Sequence, residues 1–144
     1  MKILGIYGGQ DANGLTASLV KEVLAGVAAP ATTEFVDLNQ YQIHPDKPET
    51  TNPTLDKLAA KLKAADVWVL GTPTYFGTVA GQFKQLLDCM RHRMTRMTHK
   101  GDTLPGQFKD KHYVSVTSCF ATGLDNTFTH QTDATLVAID KAMT

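Results

Sequence analysis

The sequence predicts an α/β protein with an open parallel sheet, and three observations carry the prediction. Short strand-like runs occur at 2–7, 33–37, 67–70 and 112–117. The first, third and fourth run directly into glycine-bearing loops. The stretches between them carry apolar residues three and four apart, the spacing of one helix face. Strands alternating with helices, with loops at the strand ends, are the pattern of a parallel sheet.

Composition narrows the reading further. At 144 residues and 42% hydrophobic, the chain supports one sizeable core and not two, so 1–144 is read as a single domain. Fourteen basic and fourteen acidic side chains cancel, leaving no field to draw in nucleic acid or an anionic membrane. The two cysteines, Cys89 and Cys119, form no C-x-x-C pair and no disulfide framework, which points to a reducing cytoplasm. The apolar opening at 3–7 is too short for a signal-peptide core, and no run approaches a membrane span. There is no internal repeat and no cluster of metal-ligating residues.

The first strand has Ile3, Leu4 and Ile6 in close succession, as suits a central strand covered on both faces. It breaks at Gly8-Gly9-Gln10-Asp11-Ala12-Asn13-Gly14, and a helix face follows with Leu15, Leu19, Val20, Val23, Leu24 and Val27. A strand, a glycine-rich loop and a helix start present unpaired N–H groups and a positive helix end, which can hold a phosphate. Neither Gly-Lys-Thr/Ser nor a G-x-G-x-x-G spacing is present, leaving a loop sized for a phosphate monoester, or an ordinary βα turn. The second strand centres on Phe35 and Val36, and 38–52, with Pro45 and Pro48, reads as a long surface loop. Asn52-Pro53 reads as a helix cap and first position, followed by Leu55, Leu58, Ala59 and Leu62 on the buried face.

The third strand, 67–70, meets Gly71 and then a turn with Pro73, Thr74, Tyr75, Phe76 and Gly77. A helix face follows with Val79, Phe83, Leu86, Leu87 and Met90. Ligands of parallel sheets bind beyond the carboxyl ends of the strands. Here Pro73 stiffens the backbone, Gly77 permits close approach, and Tyr75 and Phe76 offer faces for a flat ring. The same aromatics also suit simple completion of the core. The basic run 91–100 reads as a solvated surface, with capture of NADPH phosphates and nucleic-acid binding as alternatives; no aromatic interleaving supports the last. After the fourth strand comes Ser118-Cys119-Phe120-Ala121-Thr122-Gly123, a third glycine-bearing loop. Where a C-x5-R phosphatase loop needs arginine, Asp125 stands, so Cys119 is not read as a nucleophile. The last segment, 126–143, reads as one helix with Leu136, Ile139 and Met143 on one side.

The stretch Gly-Thr-Pro-Thr-Tyr-Phe-Gly-Thr-Val-Ala-Gly-Gln-Phe-Lys-Gln-Leu-Leu-Asp, residues 71–88, resembles the ring-binding loop and following helix of the NADPH-dependent FMN reductase family. Within that family it is most similar to the iron-sulfur flavoprotein branch. The resemblance implies a flavodoxin-like three-layer sandwich with parallel sheet order 2-1-3-4, and the fifth strand and last helix of the family are missing here. It implies FMN as cofactor, with NADPH or NADH as electron donor.

The loop 8–16 resembles the family's phosphate loop, Gly-Ser-x-Arg-x-x-Gly-Asn-Thr. That assigns Gly9, Gln10, Asp11, Asn13, Gly14, Leu15 and Thr16 to the phosphate, Pro73, Thr74, Tyr75, Phe76 and Gly77 to the ring, and Ser118, Ala121, Thr122 and Gly123 to the ring's pyrimidine side. Gly9 replaces the usual serine, and Gln10 and Asp11 stand where a basic side chain is common, so FMN is expected to bind and to be released more easily. No cysteine stands in 38–52, where the iron-sulfur branch carries its cluster, so such a centre is excluded on ligand grounds. No catalytic side chain is assigned, because the cofactor carries the chemistry. The implied activity is hydride transfer through flavin to a quinone, free flavin or similar acceptor, in a homodimer or higher homo-oligomer joined near the terminal helix. An electron-carrying flavodoxin and a non-catalytic flavin-binding module are the alternatives; zero net charge stands against the first.

Overall fold

The apolar run at the start of the chain becomes β1 (Lys2–Tyr7), and the elements then follow as α1 (Leu15–Ala25), β2 (Thr32–Asp37), a 3-10 turn (Leu38–Gln40), α2 (Pro53–Ala64) and β3 (Val67–Tyr75). They continue with β4 (Thr78–Val79), α3 (Gly81–Met94), β5 (Arg96–Met97), β6 (Thr103–Leu104), β7 (His112–Ser118), α4 (Gly123–Thr129) and α5 (Asp133–Met143). The computed structural model describes residues 1–46, 51–94, 96–97, 103–104 and 111–143, with backbone only at 91–94, 96–97 and 103–104. The basic run 91–100 therefore ends α3 and enters β5, and its side chains lie outside the described residues.

The long strands lie in the order β2-β1-β3-β7, all parallel. Counted over those four, this is the expected order 2-1-3-4. The short β4 adds an antiparallel pairing to the end of β3, while β5 and β6 form a separate two-stranded ribbon. Alternation along the strands divides the core in two. Leu4, Ile6, Val36, Trp68 and Leu70 face α2, α3 and α5 through Leu58, Phe83, Leu86 and Ile139. Ile3 and Val69 face α1 through Val20 and Leu24. α1 lies close on the sheet because its neighbours there are glycines. A Cβ on Gly71 would come within 2.2 Å of Val20 Cγ2, and one on Gly5 within 2.6 Å of Leu24 Cδ1.

The ends of α2 follow the sequence. Asn52 Oδ1 accepts from Leu55 N at 3.2 Å, and Pro53 opens the helix. Lys111 Nζ donates to the Lys63 and Ala65 carbonyls at its other end. Two boundaries differ from expectation. β3 runs five residues beyond Leu70, because β7 stays paired with it to Ser118 opposite Pro73 and β4 pairs with Thr74 and Tyr75. The expected single helix at 126–143 is two, broken at His130, whose left-handed backbone (φ 51°) closes α4. Among the described residues no helix is long and apolar enough to cross a membrane.

Candidate functional site

The carboxyl ends of β1, β3 and β7 bring the three glycine-bearing loops to one edge of the sheet. Two contacts establish this. Thr16 Oγ1, in the first turn of α1, lies 2.6 Å from Ser118 Oγ at the end of β7, across 102 positions of sequence. Ser118 is in turn the register partner of Pro73 in β3. Thr16, Pro73 and Ser118, three of the expected site residues, are therefore immediate neighbours.

The first loop is held from several sides. Gly8 N donates to the Gly71 carbonyl at 2.9 Å, and the Gly8 carbonyl accepts from buried Thr72 Oγ1 at 3.1 Å. The Gly9 carbonyl accepts from Asn39 Nδ2 at 2.8 Å, so the 3-10 turn after β2 also supports the loop. Asp11 bonds locally: one carboxylate oxygen accepts from Asn13 N at 2.8 Å, and its carbonyl accepts from Gly14 N at 3.0 Å. Its charge is thus partly answered within the turn, and the Asn13 amide is committed there. Gly14 is the N-cap of α1 and contributes no side-chain cap; the first turn carries no acidic residue. That leaves helix-end donors facing outward beside the buried Thr16 hydroxyl, a suitable cradle for a dianion. Lys21 Nζ, one turn on, reaches back to the Ala12 carbonyl at 2.9 Å and brings a cation to the loop.

The second loop is a hairpin turn. Phe76 (φ 52°) and Gly77 (φ 74°) both have left-handed backbone between paired Tyr75 and Thr78, the arrangement of a tight two-residue hairpin. For a bulky aromatic this conformation is strained. Phe76 is fully exposed, and no atom lies within 4 Å of where a Gly77 Cβ would be. A strained, solvent-facing aromatic beside open backbone is placed for contact with something outside the chain. Behind it, Thr72 and Thr74 are buried. Ala80 N donates to Thr72 Oγ1 at 2.9 Å, and Thr74 Oγ1 lies 2.9 Å from both Thr117 Oγ1 and Thr135 Oγ1, linking the turn to α3, β7 and α5.

In the third loop the expected residues divide. Ser118 meets Thr16, but the Thr122 hydroxyl is engaged in capping α4, accepting from Asp125 N at 3.2 Å and donating to Asp125 Oδ2 at 2.6 Å. Gly123 is the first residue of α4, and Ala121 accepts a long contact from Cys119 Sγ at 3.9 Å. Gln10 and Leu15 are exposed at the mouth. Sequence reasoning missed Tyr7, Asn39, Thr72, Thr117 and Thr135. Of these only Asn39 had a local signal: an Asp-x-Asn step directly after a strand, in which Asp37 Oδ1 accepts from Asn39 N at 3.0 Å.

Comparison with known proteins follows the same lines. The profile of the NADPH-dependent FMN reductase family matches residues 1–128. An iron-sulfur flavoprotein of Methanocaldococcus jannaschii is 37% identical over 101 residues, covering 63% of this chain and 52% of that protein. An NAD(P)H-dependent FAD/FMN reductase of Geobacillus thermodenitrificans is 28% identical over 114 residues, covering 72% and 61%. Each match thus spans between half and two thirds of the relative. Among solved structures, an FMN-dependent NADH-azoreductase of Bacillus anthracis in complex with FMN aligns over 99% of this chain and 81% of its own, with a TM-score of 0.71 at 13% identity. At that identity the likeness is one of fold alone.

Proposed function

The chain belongs to the NADPH-dependent FMN reductase family, and from that premise we propose that residues 1–144 form a single FMN-binding domain of an NAD(P)H-dependent reductase. The observation that carries the proposal is the Thr16–Ser118 contact at 2.6 Å beside Pro73, which brings the three loops together at one edge of the sheet. The residues present fit the cofactor. The uncapped first turn of α1 and the Thr16 and Ser118 hydroxyls would hold the phosphate, and the backbone at 73–77 with Tyr75 and Phe76 would hold the ring. Bound there, FMN supplies the redox chemistry, accepting hydride from NADPH or NADH and passing it to a quinone, free flavin or similar small acceptor.

What the protein would contribute is orientation. Hydroxyls at 72, 74, 117 and 135 fix the end of β3, and the exposed Phe76 would border the face at which donor and acceptor meet the bound flavin. No side chain here need move a proton. The outer side of the third loop is apolar: Phe120, Leu124 and Phe128 follow at four-residue intervals and stand 70% or more exposed. A second copy covering that ridge would account for it, so the homodimer contact is proposed at α4, one helix before the terminal helix expected from the sequence. Two unpaired cysteines accord with a cytoplasmic setting.

Titration of cofactor-free protein with FMN tests the site. Quenching of flavin fluorescence and yellow protein are expected, as is NADPH or NADH oxidation that requires an added quinone. A colourless protein that fails to take up FMN would refute the proposal, and sedimentation of a monomer at micromolar concentration would refute the α4 contact.

A further inference from the structure

Tyr7, the last residue of β1, is assigned no role by the family motif, yet its side chain crosses the phosphate loop. It is buried, 3% exposed. Its hydroxyl donates to the Asp11 carbonyl at 2.7 Å. A Cβ on Gly9 would lie 2.3 Å from that hydroxyl oxygen and 2.7 Å from Pro73 Cδ. Residue 9 is therefore glycine here because the Tyr7 phenol and Pro73 occupy the space a side chain would need.

We propose that Tyr7 is a positioning residue for the phosphate of FMN: its hydroxyl fixes the Asp11 carbonyl, and so holds the 11–14 turn that aims the first turn of α1 at the anion. The inference rests on the reading of this loop as the FMN phosphate site. The bond sets one end of a short relay, since the same Asp11 carbonyl accepts from Gly14 N at 3.0 Å and Gly14 is the N-cap of α1. The phenol oxygen and Pro73 both lie within 3 Å of the point a Gly9 Cβ would take, so the loop passes between them with no room for a side chain. Burial, with Tyr75 as the next contribution, raises the phenol's pKa above its ordinary value and keeps it a neutral donor at any physiological pH.

A residue that aims the loop at phosphate affects FMN and leaves riboflavin, which lacks the phosphate, largely alone. The test measures the affinity of cofactor-free protein for both flavins by fluorescence quenching, with no reliance on turnover. Tyr7→Phe is expected to weaken FMN binding about tenfold and riboflavin binding by less than about twofold. Gly9→Ala reaches the same point without altering Tyr7, because its methyl would press on the phenol; it would press on Pro73 as well, so both flavins are expected to bind more weakly, FMN by the larger factor. Equal losses for the two flavins in either variant, or unchanged FMN affinity in both, would overturn the assignment. Wild-type protein that binds neither flavin would overturn the underlying reading of the site, and this is seen before any variant is made.

Discussion

Around Gly9 every neighbour lies closer than a side chain allows, whereas around Gly77 an added Cβ would meet nothing within 4 Å. The two glycines sit in the same cleft and are there for opposite reasons. At the phosphate end, glycine is demanded by crowding: Tyr7, Pro73, Phe83 and Leu38 press on Gly8 and Gly9, and the backbone is fixed by bonds from Asn39, Thr72 and Gly71. At the ring end it is demanded by backbone conformation, with φ 74° in a two-residue turn that touches little. On the proposed reading the phosphate monoester of FMN, a small dianion of fixed shape, would meet the preformed loop. On the same reading the ring face would admit two different reactants in succession, and this is the end left open.

Substitutions at the two ends sharpen the contrast. The largest loss is expected for Gly71→Ala, on the crowded side, where the new methyl would fall 2.2 Å from Val20 Cγ2. Overpacking of this kind costs about 2 to 3 kcal/mol, read as a lower urea midpoint with unchanged slope. Gly77→Ala has room for its methyl but not the backbone freedom, so a smaller loss of about 1 kcal/mol is expected. A loss as large as that of Gly71→Ala would erase the distinction drawn here.

Phe76→Gly inverts the sign. Relief of a left-handed aromatic is expected to raise stability by about 0.5 to 1 kcal/mol. If the exposed ring borders the reactant face as proposed, NADPH oxidation by the FMN-loaded protein is expected to fall several-fold. Stability and activity falling together would show that Phe76 is a packing residue after all.

The far edge of the sheet supplies the floor of the scale. There Glu34 pairs with Lys61 and, at 2.9 Å, with Lys2, all partly exposed. The Lys61 and Lys2 hydrogen bonds hold the Glu34 carboxyl below its ordinary value of 4.5. The contribution of the pairs is therefore complete above that value and is lost as pH falls through the lower folded one. Exposed ion pairs are screened, so Glu34→Gln is expected to cost at most about 0.5 kcal/mol at pH 7 and nothing in acid. Denaturant melts at the two pH values measure both.

The strands, the three loops and the glycines of the first loop were legible because each is a local signal: apolar runs, breaks at glycine and helical spacing. Asn52-Pro53 announced the start of α2 in the same way. Less of the loop chemistry was legible. Thr122 looked like a ligand donor, but a threonine three residues before an aspartate is also a helix cap, and it is the cap that forms. The turn at 73–77 was placed correctly along the chain but starts later than expected, since pairing with β4 and β7 prolongs β3 through Pro73. The break at His130 carried no glycine to mark it.

By itself the sequence determined the alternation of strand and helix, the points where the chain must turn, and the kind of loop found at each turn, because these depend on residues within a few positions of one another. Tertiary structure alone decided that Thr16 meets Ser118, that Thr135 reaches Thr74, and that the Tyr7 phenol takes the place of a side chain on Gly9. The first two join residues far apart in the chain, and the third depends on Pro73 and the pitch of β1 against β3. Such contacts arise from how the sheet is assembled, and no local pattern encodes them.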